Sequence, residues 1–97
     1  MEISKMLTLS TAHITEQTAI GLEKATKSAE PDLDLCVYTK EGYGFFIHIP
    51  DDWQDGRNIP PDLRDCMELA DSHNCKWLCL DRDGDVTEKL QVYVWGE

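Results

Sequence analysis

Hydrophobic positions along the chain follow two different periods, and each period predicts a different kind of element. Apolar residues that alternate with polar ones, or that form short β-branched and aromatic runs, predict strands. The predicted strands cover residues 6–14, 33–39, 43–49, 76–80 and 88–95. Helical spacing predicts one helix that begins after Thr15 and ends before Pro31, and a second helix over residues 62–74. The predicted order of elements is therefore β-α-β-β-α-β-β.

This order predicts an α+β fold in which both helices pack on one face of a mixed or antiparallel sheet of about five strands. The order contains the ferredoxin-like split βαβ unit with one additional strand. Asp83-Gly84 is a hairpin signal between the last two predicted strands. No repeat or linker interrupts the chain, and 97 residues suffice for one modest core. We therefore expect a single compact domain over residues 1–97.

The second predicted helix has two chemically different sides. Its apolar side is formed by Leu63, Cys66, Met67 and Ala70. Its other side carries Asp62, Asp65, Glu68 and Asp71. At about 100° per residue the apolar group spans about 100° and the acids spread over the opposite half. This pattern predicts a helix with one buried face and one acidic, solvent-exposed face.

The last predicted strand also has two sides. Leu90, Val92 and Val94 alternate with Gln91, Tyr93 and Trp95. We expect the aliphatic side to meet the helices and the aromatic side to mark the opposite face of the sheet. Tyr38 and Phe46 can share that face. Such aromatic residues form either a contact surface or a partly covered part of a small sheet, and the sequence does not separate the two.

The charge of the chain limits its partners. Nineteen acidic residues against nine basic ones give a formal charge of −10, while 41% hydrophobic content indicates a folded chain. An anionic protein repels nucleic acid and anionic membranes, so direct binding to either is not expected. An RNA-binding sheet with stacking aromatics would also need flanking Lys and Arg residues. The charge instead favours a basic partner.

The start of the chain and its cysteines predict a location. No apolar run approaches the roughly 20 residues of a membrane span, and the first residues have neither a basic nor an apolar signal region. We therefore expect a soluble, cytoplasmic protein. In that reducing compartment Cys36, Cys66, Cys75 and Cys79 are expected to be free thiols.

Candidate metal and catalytic residues form weak patterns. Cys66, His73, Cys75 and Cys79 lie within fourteen residues but lack the C-x2-C or helix-spaced His pattern of zinc sites. The acidic turn at residues 81–88 lacks the EF-hand spacing. No nucleophile motif, P-loop or dinucleotide motif accompanies the histidines. We expect no cofactor and no enzymatic activity.

Acidic residues accumulate in two stretches, which form the predicted partner-binding site. The first patch comprises Asp51, Asp52, Asp55, Asp62, Asp65, Glu68 and Asp71, with Trp53 as the candidate buried anchor for a partner. The second patch comprises Asp81, Asp83 and Asp85. Solvation alone explains any single acid, but so many like charges repel one another and destabilise the compact state. The accumulation therefore indicates a binding function.

A helix can present carboxylates in an array that resembles the phosphates of DNA. Neighbours three or four positions apart have Cβ atoms about 5 to 6 Å apart. Such an array fits a Lys- and Arg-lined groove, with bidentate Arg-carboxylate pairs as its strongest contacts. The sequence therefore suggests a non-enzymatic DNA mimic that blocks a basic DNA-binding groove.

The length, acidity and mixed α/β order resemble those of the small phage- and mobile-element-encoded anti-CRISPR proteins, in particular the DNA-mimic inhibitor of the type I-F surveillance complex. The stretches LSTAHIT at residues 9–15 and LCLDRDGDVTEKLQVYVW at residues 78–95 are similar to an uncharacterised family of small prophage and plasmid proteins. The first resemblance implies a non-enzymatic inhibitor, acting in the host bacterial cytoplasm, that binds where the large subunit and the Cas5-type subunit of that complex grip duplex DNA. We expect this inhibitor to be a monomer. It supplies no residue-by-residue correspondence.

Two other functions stay open at this level. The first is a zinc-binding or enzymatic accessory protein of a mobile element that uses the Cys/His group. The second is an interaction module that dimerises through the sheet, with Tyr93 and Trp95 as contacts. The sequence also leaves open whether the two acidic patches are contiguous.

Overall fold

A four-stranded mixed sheet with two helices on one face forms the framework of the protein. The computed structural model describes residues 3–27, 35–40, 42–55 and 58–95. Its elements in chain order are β1 (Met6–Ser10), a 3-10 helix (Thr11–His13), α1 (Glu16–Lys27), β2 (Val37–Thr39), β3 (Gly44–His48), α2 (Pro61–Ser72) and β4 (Trp77–Asp81). The predicted α+β class and both helices are confirmed. No helix in the described ranges is long and apolar enough to cross a membrane.

The strand order within the sheet is β1-β4-β3-β2. β1 and β4 are parallel, whereas β4 with β3 and β3 with β2 are antiparallel. A split βαβ unit leaves room for one strand between the two parallel strands that its helix connects. Here α1 connects β1 to β2, and two strands, β4 and β3, lie between them. The ferredoxin-like arrangement predicted from the element order is therefore not found.

One face of the sheet is covered by the two helices. Leu9, Ile47, Leu78 and Leu80 point to one face and are buried in a cluster with residues of both helices. Leu22 of α1 and Leu63 and Met67 of α2 are completely buried there. Both helices therefore pack on the same face of the sheet, as the order of the elements predicted.

Helix α1 begins where the sequence predicted. The hydroxyl of Thr15 accepts a hydrogen bond from the Thr18 backbone N–H at 3.2 Å, which is the bond of an N-cap residue. Ile20, which is out of phase with the apolar stripe, is 48% exposed. The helix is described as far as Lys27, and the predicted end before Pro31 lies outside the described residues.

Helix α2 begins at Pro61, a favourable first position because proline has no N–H to satisfy. The helix ends in a turn in which the N–H of Cys75 donates to the carbonyl of Ala70 at 2.9 Å. Asn74 in this turn has a φ of 62°, a left-handed conformation that asparagine tolerates better than most residues. The predicted apolar side of α2 is buried.

The predicted fifth strand, residues 88–95, is not a strand in the described part of the chain. This C-terminal segment, residues 87–95, instead lies against the 3-10 helix and the start of α1. The N–H of Tyr93 donates to the carbonyl of Ala12 at 2.8 Å, and Nε1 of Trp95 donates to the carbonyl of Ile14 at 2.9 Å. Val92 and Val94 are 50% and 93% exposed, so the aromatic residues and not the valines anchor the segment.

Candidate functional site

The predicted site residues occupy different environments. Exposed carboxylates are found at Asp51, Asp52, Asp55, Asp65, Glu68, Asp71, Asp83 and Asp85. Trp53 and Asp62 are buried, and Asp81 is intermediate. The predicted binding site therefore contains both exposed and buried residues, although the sequence analysis grouped them together.

Trp53 and Asp62 are not available to a partner, contrary to the sequence prediction. Trp53 is 4% exposed and belongs to the core, where the Arg64 guanidinium lies 5.6 Å from the centre of its ring. Asp62 is 7% exposed because its carboxylate caps the other helix. It accepts hydrogen bonds from the Thr15 backbone N–H at 2.7 Å and from the Thr18 hydroxyl at 2.9 Å. Both side chains serve the fold.

Asp81 also serves the fold. It forms an ion pair with Lys40 and accepts the backbone N–H of Asp83 at 2.9 Å. The hydrogen bond from Lys40 is the main cause that lowers the pKa of Asp81, and the same hydrogen bond raises the pKa of Lys40. Asp81 therefore contributes little free negative charge to the second patch.

Three carboxylates on α2 form the acidic surface that the sequence predicted. We call Asp65, Glu68 and Asp71 the α2 strip. Each residue is exposed, and no lysine or arginine of the described ranges forms an ion pair with any of them. At about 100° per residue the strip spans an arc of about 120° centred on Glu68. Because the apolar side of α2 is buried in the core, the three carboxylates of the strip point away from the core.

Lys76 links the strip to the loop before α2. Its Nζ lies 3.0 Å from Oδ1 of Asp51. The hydrogen bond with Asp51 is the main cause that raises the pKa of Lys76, and the charge of Asp71 adds to it. Asp51 and Asp71 therefore both lie near Lys76, the residue before β4.

The second patch lies at the other end of β4. Asp83 and Asp85 follow that strand, and the carbonyl of Asp85 accepts the N–H of Ser10 at the end of β1 at 2.9 Å. Asp71 precedes the strand, so the length of β4 separates it from Asp83 and Asp85.

A groove of about 410 Å³ runs beside the α2 strip. Asp65, Glu68 and Leu69 of α2 line one wall. Lys89 and Leu90 of the C-terminal segment line the other. Lys89 is the only cation that the described part of the chain contributes to this lining. The groove combines carboxylates with the aliphatic side chains of Leu69 and Leu90, which suits the long aliphatic stem and charged end of a basic side chain.

A buried histidine, which the sequence analysis did not select, holds the C-terminal segment in place. His13 is 1% exposed. Its Nδ1 lies 2.9 Å from the carbonyl oxygen of Gln91, and its Nε2 lies 3.0 Å from the backbone nitrogen of Thr87. The stretches 9–15 and 78–95, which were noted separately in the sequence, therefore meet in space. No sequence spacing encodes the pairing of this histidine with backbone groups more than seventy positions away.

The cysteines and histidines do not converge. Among the described residues no group of three or more His, Cys, Asp or Glu side chains is placed to hold a metal ion. Cys66 lies in the core, where desolvation and then the charges of Asp62 and Asp65 raise the pKa of its thiol to about 12. The described part of the chain therefore gives the zinc-site alternative no support.

The face of the sheet opposite the helices carries an aromatic cluster. The ring centres of Trp77 and Tyr38 lie 6.1 Å apart, and those of Trp77 and His48 lie 5.1 Å apart. Tyr38 is 56% exposed. Phe46 shares this face, as predicted, whereas Tyr93 and Trp95 do not lie on the sheet.

The fold and its surface define a small acidic α+β domain without a metal cluster in the described residues. The chain matches the family described as "Family of unknown function (DUF5983) C-terminal domain" over residues 6–95. The protein therefore belongs to the DUF5983 family. No curated protein and no solved structure matches the chain.

Proposed function

We propose that the protein is a non-enzymatic inhibitor that uses the α2 strip to occupy a basic, nucleic-acid-binding groove of another protein. The observation that supports this proposal is the presence of three exposed carboxylates on one side of one helix, none paired with a lysine or arginine of the described ranges. These groups keep their charge available, in contrast to Asp62 and Asp81.

The binding mechanism follows from the chemistry of the strip. Arginine side chains of the partner form bidentate hydrogen bonds with Asp65, Glu68 and Asp71, and their stems lie along Leu69 and Leu90 in the groove. Each pair replaces one phosphate contact of the nucleic acid. The affinity therefore falls steeply as the salt concentration rises.

The specific target in this proposal is the type I-F CRISPR surveillance complex. The protein would occupy the surface where the large subunit and the Cas5-type subunit bind duplex DNA. The resemblance in size, acidity and α+β order supports this choice of partner. The acidic surface supports the broader class, a basic groove that binds nucleic acid.

Displacement of duplex DNA from the surveillance complex tests this proposal. The wild-type protein is expected to prevent DNA binding, and D65N/E68Q/D71N is expected to lose more than about tenfold in inhibitory potency because three charge-assisted contacts are removed. D83N/D85N is the control, because it removes carboxylates that follow the other end of β4, and it is expected to retain potency.

Two results would contradict the proposal. Equal losses per carboxylate removed in the strip variant and the control would show that net charge and not the strip matters. DNA and protein bound together without mutual loss of affinity would reject mimicry altogether. Circular dichroism of both variants controls for folding.

The open face of the sheet supports a second candidate function, self-association as an interaction module. The strand residues on this face include one carboxylate, Asp81, and Lys40 neutralises it. Two copies stacked through this face would keep their α2 strips on the outside. Light scattering should then show a mass that rises with concentration, and Tyr38→Asp should abolish the rise. Tyr43→Asp, at a tyrosine 46% exposed elsewhere, is the control. A wild-type mass that stays monomeric at all concentrations rejects this candidate.

A further inference from the structure

A cavity of about 490 Å³ lies between α1 and the end of the sheet at which β2 and β4 finish and β3 begins. We call it the α1 pocket. Thr39 and Phe45, which pair across β2 and β3, line it on the face that the helices cover, and Ala19 of α1 lines it as well. Cavities of about 300 to 1,000 Å³ hold small molecules in many proteins. The described lining contains no residue of the α2 strip, so the two are separate sites.

The apolar part of the α1 pocket consists of two aromatic rings and one alanine. Phe45 is half-buried and packs against the core. Trp95 is 37% exposed, and the hydrogen bond from its Nε1 to the carbonyl of Ile14 fixes the indole. Ala19 is buried on α1. The two rings leave flat apolar surface open to a ligand, and aromatic side chains bind flat rings by offset stacking or by edge contacts.

The charged side chains of the α1 pocket leave one positive charge that no described carboxylate pairs. Glu23 and Lys27 of α1 form an ion pair at 3.2 Å. Arg82, which follows β4, also lines the pocket and forms no ion pair within the described ranges. Its neighbour Asp81 is already paired with Lys40. The α1 pocket therefore favours a negatively charged group, although the formal charge of the chain is −10.

Two contacts with Tyr43 hold Arg82 at the α1 pocket. The backbone N–H of Arg82 donates to the carbonyl of Tyr43 at 2.8 Å. The guanidinium carbon lies 4.5 Å from the centre of the Tyr43 ring. A cation–π contact leaves the N–H groups of a guanidinium available for hydrogen bonds. A carboxylate matches them best, because its two oxygens accept two parallel N–H groups.

We propose that the α1 pocket binds a small organic acid that has one carboxylate and a flat, apolar ring system. The carboxylate accepts two hydrogen bonds from Arg82, and the rings lie against Phe45 and Trp95. The hydroxyls of Thr11 and Thr39 also line the pocket and can bond polar substituents on the rings. This site goes beyond the proposed inhibitor, because the α2 strip binds positive groups and the α1 pocket binds a negative one.

Titration of the wild-type protein with naphthoate tests the proposal, and nuclear magnetic resonance reports on each tryptophan separately. The indole N–H signal of Trp95 should shift, with a dissociation constant on the order of 1 mM for a ligand of this size. Trp53 lies in the core and Trp77 lies on the opposite face of the sheet. Both are internal controls, and their signals should not shift.

Two analogues of naphthoate isolate the role of the carboxylate. Naphthamide has the same rings and no charge, and it should bind about tenfold more weakly because hydrogen bonds to a charged group are the stronger ones. Naphthylmethylamine carries a positive charge, which Arg82 repels. It should bind more weakly than the amide.

Substitution of Arg82 assigns the effect to one side chain. Arg82→Gln should weaken naphthoate binding about tenfold and leave the affinity for naphthamide nearly unchanged. Lys24→Gln is the matched control, because it removes the same charge from α1 at a residue outside the described lining. Both side chains are exposed, so both variants should fold, and circular dichroism verifies this.

Four results would overturn the proposal. The first is an unshifted Trp95 signal at about 10 mM naphthoate, ten times the expected dissociation constant. The second is equal affinity for naphthoate and naphthamide. The third is an equal loss of naphthoate affinity in Arg82→Gln and Lys24→Gln, which would show that net charge and not Arg82 matters. The fourth is a shift of Trp77 in place of Trp95, which would put the ligand on the open face of the sheet. The wild-type titrations with the three compounds decide the question even if a variant does not fold.

Discussion

Asp62 and Asp65 lie one turn apart on α2, yet the fold uses them in opposite ways. Asp62 faces the start of α1 and accepts hydrogen bonds from Thr15 and Thr18. Asp65 is exposed and has no ion pair with the described lysines and arginines. Asp62 and Asp65 are three positions apart, so their side chains leave the helix in different directions. The carboxylate of Asp62 holds the two helices together, whereas that of Asp65 is exposed to solvent.

This difference shows that a count of acids overstates the available charge. Asp62 and Asp81 are satisfied within the fold, and Asp51 is neutralised by Lys76. The α2 strip is exposed because the buried side of α2 directs it away from the core. The inference about binding therefore depends on the strip and not on the net charge.

The largest expected effect is the difference in the free energy of unfolding between a variant at Asp62 and a variant at Asp65. Asp62→Ala should lower the free energy of unfolding by about 2 to 3 kcal/mol, because it leaves the Thr15 N–H and the Thr18 hydroxyl without their acceptor. Asp65→Ala, the matched control, should change it by less than about 0.5 kcal/mol. Urea unfolding monitored by circular dichroism measures both. Equal losses would mean that Asp62 does not connect the two helices.

A smaller effect should appear in the pH dependence of stability. The pKa of Asp81 is lowered in the folded state, so its contribution is complete above the unfolded value of about 3.9 and is lost as the pH falls through the lower folded value. The wild-type protein should therefore lose more stability on acidification below about pH 4 than Asp81→Asn. Urea midpoints across that range give the comparison. Parallel curves for the two proteins would show that the ion pair with Lys40 does not form.

The smallest effect is expected at Asp51. Its carboxylate is exposed, and exposed ion pairs contribute little because both side chains are hydrated and mobile. Asp51→Asn should leave the thermal midpoint within experimental error, while it lowers the raised pKa of Lys76 towards its usual value. Nitrogen chemical shifts of the lysine side chains report that change. A clear fall in the midpoint would place Asp51 with Asp62, among the carboxylates that stabilise the fold.

Local patterns predicted the helices well. The apolar side of α2 and the N-cap at Thr15 follow from residues close together in sequence, and both are confirmed. The acids of the α2 strip were also predicted correctly to be exposed. Asp62 was predicted wrongly, because its partners on α1 lie more than forty positions away.

The last segment shows where sequence patterns fail. Residues 88–95 alternate as a strand would, but alternation is a necessary and not a sufficient condition for pairing with a sheet. The segment bonds instead to His13, Ala12 and Ile14, which are about eighty positions earlier in the chain. No local signal marks a histidine whose two ring nitrogens bind backbone groups of a distant segment.

The sequence by itself determined the α+β class, the two-sided helix α2 and the acidity of its exposed side, because periodicity and charge are local properties of the chain. The tertiary structure alone decided the strand order, the roles of Asp62, Asp81 and Trp53, and the docking of the C-terminal segment on His13. These features depend on which distant groups meet, and each buried polar group takes whichever partner the packing brings within hydrogen-bond distance.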